Sequence, residues 1–490
     1  MFILLLRDSM PNLFWLFLIP FISSILIGII PINEKKHLKW ASLGLSSIPF
    51  FFLLSNHFVW IGSFFQYEWF ALLSITFSLE IDSISLLFLY LTAIIIPIVF
   101  MNVNSEKLSH PKLFYGLILF LQGLLGGFFM TRDLVFFTIF WEAMLLPIYF
   151  LMNMWGGSKR HEAAIKFIVY MFAGSALMIA AVLALYFLFG TFDLAQLSTQ
   201  ESSYPYVNLI AAAFLLAFAV KTPLFPFHAW LPDTYYQAST SGTILLSGLL
   251  SKAGIYGIIR IGLGLFPHVM KEWSPWLLGL AITGVLYGAL AAWRQNDFKR
   301  LLAYSSFSHV NFILIGLFIF DPIAQKGAIL QAFNHGITIT ALFLVAGYLE
   351  NRLGFTIIGT SKGLARYMPN LCWLTFFFVL SSIALPGTNN FVGELLIFIG
   401  LFGKHPYLTA LTGLTIVFSV IYMLRWMQKM YFEEPSPYQV QWIDLTKKEF
   451  LIVAPLIILI LWIGLYPMGI LKYLDADHSK SQVLTQEMIK

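Results

Sequence analysis

The chain has 490 residues, of which 59% are hydrophobic and only 11% charged, with a formal net charge of +5; a soluble globule of this size carries about a quarter charged residues. The lone cysteine, Cys372, excludes an internal disulfide and cysteine-ligated iron–sulfur clusters. No Gly-rich loop leading into Lys-Ser/Thr, no HExxH and no CxxC occurs, so no redox or nucleotide site is legible in this chain.

Apolar stretches long enough to span a bilayer recur between turn and charge signals. Each must satisfy its own backbone there, so each is read as a helix. The predicted spans are 11–32, 40–60, 81–102, 112–130, 133–155, 163–190 and 207–225, then 243–264, 275–293, 299–319, 326–350, 371–403, 408–432 and 449–471. The fold class is therefore an all-α membrane protein of about fourteen transmembrane helices. It forms a single polytopic domain over 1–490 with a polar C-terminal tail at 473–490. The opening run MFILLLRDSMPNLFWLFLIPFISSILIGIIP has no small-residue cleavage site and is read as a retained span, not a removed signal peptide.

Charge sets the orientation. With the N-terminus outside, NEKKHLK, SEKLSHPK, GGSKRHEAAIK, RQNDFKR, ENRLGFTIIGTSKGLARY and LTKKE all fall inside. Lys and Arg then favour the inner side by roughly two to one, which places both termini outside. The net positive charge belongs to these loops and does not imply nucleic acid.

Two spans carry interruptions. LIAAAFLLAFAVKTPLFPFHAWLPDT is broken at Pro223 and Pro226, and FFFVLSSIALPGTNNFVGELLIFIGLFGK at Pro386 and Gly387. They are the seventh and twelfth segments, so they run in opposite directions. This is the pattern of two inverted five-helix repeats, about 112–264 and about 275–432, each with a broken helix in its fourth place.

Four ionisable residues lie deep in these segments: Glu142 in FFTIFWEAMLLPIYF, Lys221 before the first break, Lys252 in TILLSGLLSKAGIYGIIRI, and Glu394 after the second break. Glu142 lies roughly 13 Å along its helix from Asp133, near the midplane. Unpaired and facing lipid, each would cost about 2.5–3.5 kcal/mol. A structural alternative is a buried Glu–Lys bridge that locks the bundle, but a lock needs no broken helix beside it. His309 and His335 also lie within spans. Either alone could be a hydrogen-bonded core residue; with the lysines they read as a relay, since histidine titrates near neutral pH. His228, beside the first break, is placed in an inner vestibule, and the 49 phenylalanines are assigned lipid-facing and packing roles. Broken helices are tolerated only beside protein or internal water, so they mark a hydrated cavity. A lysine there is held charged by a nearby Glu142, and burial favours its neutral form when the acid moves away. Alternating pairing would load and unload a proton.

The stretches FWEAMLLPIYFLMNMWGG, FAVKTPLFPFHAWLPDTYYQASTSGTILLSGLLSKAGIYGIIRI, RLLAYSSFSHVNFILIG, FNHGITITALFLVAGYLENR and LPGTNNFVGELLIFIG resemble the antiporter-like subunits of respiratory complex I and of multi-subunit cation/proton antiporters. The resemblance implies that Glu142 is the acid partner of Lys221 and that Lys252 carries the proton between half-channels. It implies too that His309 and His335 link Lys252 to Glu394, which completes the path outwards. Related subunits commonly place lysine at the position of Glu394, so glutamate here favours one branch of the family. The inner loop GGSKRHEAAIK is shorter than in some relatives and is not expected to carry chemistry.

The leading expectation is a proton-translocating membrane-arm subunit of NADH-quinone oxidoreductase, coupling electron transfer elsewhere to proton pumping. By this resemblance the chain binds no cofactor, and NADH, FMN, iron–sulfur clusters and quinone belong to partner subunits. Its partners are other membrane-arm subunits, neighbouring antiporter-like subunits among them, and the lipid bilayer, with no nucleic acid. The expected location is a bacterial plasma membrane, or a mitochondrial inner or thylakoid membrane for an organelle-encoded chain. The lack of an Arg/Ser-rich presequence argues against nuclear-encoded import. The alternative is a subunit of a multi-subunit sodium/proton antiporter, and a third reading is a passive scaffold indifferent to loss of Lys221 and Lys252.

Overall fold

The computed structural model describes residues 12–32, 34–55, 60–200, 204–435 and 442–474; most of the predicted polar tail lies outside them. The chain begins with α1 (Asn12–Ile29) and α2 (Lys35–Ser55), then the strands β1 (Ser63–Phe70) and β2 (Ile75–Ile81). Next come α3 (Ser83–Asn102), α4 (Pro111–Met130), α5 (Leu134–Ala143), α6 (Leu145–Trp155), α7 (Arg160–Phe189), α8 (Leu194–Ser198), α9 (Val207–Lys221) and α10 (Leu231–Gln237). The second half holds α11 (Thr240–Leu263), α12 (Pro267–Arg294), α13 (Phe298–Phe318), α14 (Pro322–Leu353), α15 (Leu364–Tyr367), α16 (Pro369–Ser382), α17 (Asn389–Lys404), α18 (Pro406–Phe432) and α19 (Lys447–Leu465). Among the described residues, eleven helical stretches are long and apolar enough to cross a membrane, and shorter apolar helices occupy the first, seventh and twelfth predicted spans.

The hairpin is an addition to the all-α expectation. Its strands pair antiparallel, with Ser63 opposite Ile81 and Tyr67 opposite Phe77, and a bulge lies between Glu68 and Phe70. Ile75, Phe77, Leu79 and Ile81 are buried and put one face of β2 on the core; on the other face Thr76 and Glu80 are half-buried and Ser78 is buried as well. Asp133 ties the hairpin to the bundle: its carboxylate accepts from Thr76 N of β2 at 3.1 Å and caps α5 through Val135 N at 2.8 Å.

The second span starts earlier than predicted because its basic residues cap a neighbour. Lys39 Nζ donates to Met101 O at 2.8 Å and Val103 O at 2.5 Å, carbonyls at the end of α3 that have no helical donor. The fifth span is irregular at its middle. Pro147 has no amide to offer the preceding turn, and the helix pauses at Met144 between α5 and α6, two residues from Glu142.

The most apolar stretch of α14 is buried along its whole length, against 89% for α4, α11 and α13 and 28% for α18 and α19. Helices apolar on all sides belong at the centre of a bundle, so Lys252, His309 and His335 sit on the three helices α11, α13 and α14 of the interior. The edges of the two halves close in the same way. Leu134 N donates to Phe192 O and Leu194 N to Arg132 O; at the corresponding places Phe298 N donates to Thr356 O and Ile358 N to Asn296 O. The two bridges, Asp133 with Asp193 and Asp297 with Ile357, span the same separation along the chain.

Candidate functional site

Both predicted interruptions are present. Helix α9 stops at Lys221, just before the prolines, and helical structure resumes at Leu231. Buried polar side chains meet the loosened backbone, as a low-dielectric interior requires. Asn311 of α13 donates to Pro223 O at 3.1 Å, and the Trp230 indole donates to Val220 O at 3.0 Å. The second interruption separates α16 from α17, with Gly387 at φ 91, a conformation open to glycine without penalty. There Asn334 donates to Asn389 O at 2.7 Å and Asn389 returns a bond to Asn334 O at 3.2 Å. A third bond runs from Ser381 Oγ to Asn389 Oδ1 at 3.0 Å. Asn311, Asn334 and Asn389 are the site residues that the reading of charges missed. Their signal is a buried amide within apolar helical sequence, in SHVNF, FNHG and PGTNN.

Lys221 is buried at the end of α9. Its ammonium donates to Trp141 O at 3.0 Å and sits 3.6 Å from the centre of the Trp141 ring. Glu142, the expected partner, is the next residue along, but no contact ion pair joins it to Lys221 among the described residues. Both Glu142 carboxyl oxygens are buried without a hydrogen-bond partner. Lysine and acid are thus neighbours in an open arrangement.

Lys252 lies on an α-helical turn, Ser251–Gly257, between two π-helical stretches, Leu245–Leu250 and Ile258–Leu263. Such widened turns recur at functional sites because they alter the carbonyl ladder. Here Ser247 O accepts from Lys252 Nζ at 2.6 Å and from Ser251 Oγ at 2.9 Å. The amine also lies 3.2 Å from Ser251 Oγ and 2.8 Å from His335 Nδ1. Three polar neighbours match the three hydrogens of an ammonium. A neutral amine can instead accept from Nδ1, so the geometry of this contact suits a proton on either partner.

From His335 the next group is His309, with ring centres 6.0 Å apart. This gap is too wide for a direct hydrogen bond and short enough for one bridging water or a ring rotation. His309 Nδ1 lies 3.3 Å from Glu394 Oε1, which also accepts from Gln331 Nε2 at 3.2 Å. A recess lined by Ser308, His309, Glu394, Thr415, Ser419 and Tyr422 adjoins the carboxylate. Lys252, His335, His309 and Glu394 therefore form one row with a single gap, between the two histidines. His228 is packed among Phe225, Tyr287 and Phe307 and is not part of it.

The far end of α11 is tied down. Arg260 pairs with Asp82 and donates to Ser85 Oγ at 3.0 Å, while the Tyr256 hydroxyl donates to Phe129 O at 2.8 Å. Burial alone would raise the Asp82 carboxyl, but Arg260 and the Ser85 bonds outweigh it and hold it below the usual carboxylate range.

The two lysine-bearing helices meet at Gly254. A Cβ there would lie 2.1 Å from Thr222 Oγ1 and 2.8 Å from Thr222 N, and the second of these contacts is backbone that no rotamer change relieves. Gly254→Ala should push α11 off the first interruption, at about 1–3 kcal/mol of overpacking strain. We expect less assembled protein on native gels and several-fold lower activity per assembled copy. Gly279→Ala, where nothing lies within 4 Å, should leave both unchanged.

A family model described as NADH:quinone oxidoreductase/Mrp antiporter, TM, matches residues 131–458. The chain is 36% identical over 488 residues to NADH-quinone oxidoreductase subunit M of Pseudomonas aeruginosa, covering 93% of this chain and 94% of the relative. It is 33% identical over 490 residues to NADH-ubiquinone oxidoreductase chain 4 of Marchantia polymorpha, covering 97% of each. Among solved structures, a chain of respiratory complex I from Thermus thermophilus with bound NADH superposes with a TM-score of 0.86 at 30% identity, covering 95% of this chain and 98% of that one. A chain of the Mrp complex from Dietzia sp. superposes at 0.83 with 23% identity, covering 94% and 95%, a likeness of fold alone.

Proposed function

Because the chain belongs to the NADH:quinone oxidoreductase/Mrp antiporter family of membrane subunits, we propose that Glu142, Lys221, Lys252, His335, His309 and Glu394 are its proton-transfer path. The chain is a proton-translocating membrane-arm subunit of NADH-quinone oxidoreductase, of the subunit M or chain 4 type. It is a multi-pass membrane protein that works beside other membrane-arm subunits. FMN, the iron–sulfur clusters and the quinone site belong to those partners, and electron transfer there drives the charge movements here.

The observation that carries the path is the contact of Lys252 with His335, extended through His309 to Glu394. Each member of this row can gain and lose a proton, each is within a hydrogen bond or one bridging molecule of the next, and Lys252, His309 and His335 lie on the most enclosed helices. Lys221 and Glu142 form the switch at its entrance. Closing the pair favours the ammonium, and opening it removes that support from a buried charge. The matching edge bridges and the two broken helices support a division into inverted repeats, about 112–264 and about 275–432. In that division Lys252 ends the first repeat and the histidines and Glu394 lie in the second.

Affinity purification through this chain tests the reading. The isolated complex should reduce quinone with NADH and, in sealed vesicles, move protons as it does so. A complex that exchanges sodium for protons and has no NADH-quinone activity would assign the chain to the antiporter branch instead. Within the active complex, Glu394→Gln should keep assembly and lower coupled quinone reduction about tenfold. An unchanged rate would remove Glu394 from the path.

A further inference from the structure

We propose that Trp141 is a positioning residue that holds Lys221 away from Glu142, so that the switch has two defined positions and not one. This rests on the reading of Lys221 as a proton carrier. The lysine is not merely unpaired: it is occupied. Its ammonium takes the carbonyl of Trp141 as hydrogen-bond acceptor at 3.0 Å and the face of the same residue's indole at 3.6 Å. Tryptophan offers the strongest cation–π face of the side chains, and the attraction grows when the pair is desolvated. Trp141 and Lys221 are both buried.

The ring is fixed in place. It stacks on Phe137 with centres 6.0 Å apart and meets Phe218 edge-on at 5.4 Å; Phe218 lies on α9, one turn before Lys221 itself. The next residue along, Glu142, presents two buried carboxyl oxygens that have no other partner. Successive residues of a helix point about 100° apart, so acid and indole flank the lysine from one helix as alternative acceptors. The pause at Met144 lies immediately beyond them, where a small change of bend alters which of the two the ammonium meets. Without the indole only the Trp141 carbonyl competes with the ion pair, and the balance shifts to Lys221 on Glu142.

The test uses the assembled complex in sealed vesicles. Trp141 is replaced site-specifically by mono-, di- and trifluorinated tryptophan, which drains the ring face of negative charge and barely changes its shape. Trp141→Phe and Trp141→Leu are made alongside. Coupled quinone reduction should fall stepwise with fluorine number, by about threefold at the last step, with Trp141→Phe retaining more activity than Trp141→Leu. A structure of the Trp141→Leu complex should show Lys221 Nζ within about 4 Å of the Glu142 carboxylate. A flat fluorine series, or Lys221 left in its present position in that structure, overturns the proposal. If Trp141→Leu does not assemble, the fluorine series alone decides. Full activity in both Lys221→Ala and Glu142→Gln would instead overturn the path on which the proposal rests.

Discussion

Lys252→Met should abolish most coupled activity, a loss of about tenfold or more in quinone reduction that builds a proton gradient, while the protein still assembles. Replacing a buried charge by an apolar side chain of similar length is often neutral for stability or favourable. Among the described residues the lysine makes no carboxylate contact that its removal would strand: its neighbours are Ser247 O, Ser251 Oγ and His335 Nδ1. Ser247 O keeps its bond from Ser251 Oγ. Function should suffer because methionine leaves His335 with no donor or acceptor on the α11 side. Lys252→Arg separates charge from proton transfer. A guanidinium keeps the positive charge but does not release a proton at ordinary pH. Lys252→Arg should therefore be as inactive as Lys252→Met; a fixed electrostatic role would let arginine restore activity. NADH-quinone activity with and without an uncoupler, per assembled complex, reads the difference.

Glu142→Gln and Lys221→Ala should each cost about tenfold in coupled activity. Assembly should survive both. The Glu142 carboxyl oxygens make no hydrogen bond, so glutamine sacrifices no structural contact, and Lys221 keeps Trp141 as its acceptor. Lys221→Ala removes the cation and leaves the acid buried alone, which favours its neutral form over loss of the fold. Glu142→Asp keeps a carboxylate one methylene further back and should retain part of the activity. A lock, in contrast, would show its loss as reduced assembly, with normal turnover in the copies that form.

Much of this arrangement is legible in the sequence because the bilayer permits so few solutions. Length and hydropathy give the spans, and proline and glycine in VKTPLFP and LPGTNN give both interruptions, for the same backbone reason in each. Burial cost singles out Glu142, Lys221, Lys252 and Glu394, whereas the order Lys252, His335, His309, Glu394 comes from the family resemblance. The features that were not read are of three kinds. The hairpin is shorter than a span; its signal, the alternation in ITFSLEI, is drowned by the apolar runs on either side. The π-helical turns around Lys252 carry no signal in the sequence, and only Pro147 hints at the pause at Met144. The contact of Lys221 with Trp141 and not Glu142 turns on which of two adjacent side chains faces the lysine. Sequence places both on one helix, but their orientation depends on the bend that follows.

Proton uptake into sealed vesicles during NADH oxidation, with the assembled complex quantified, bears most directly on the claim that protons pass through these side chains. At equal assembly, Lys221→Ala, Glu142→Gln and Lys252→Met should each lower proton uptake about tenfold relative to the unaltered protein. Normal uptake in Lys221→Ala and Glu142→Gln would leave the buried pair as structure only and would contradict the account.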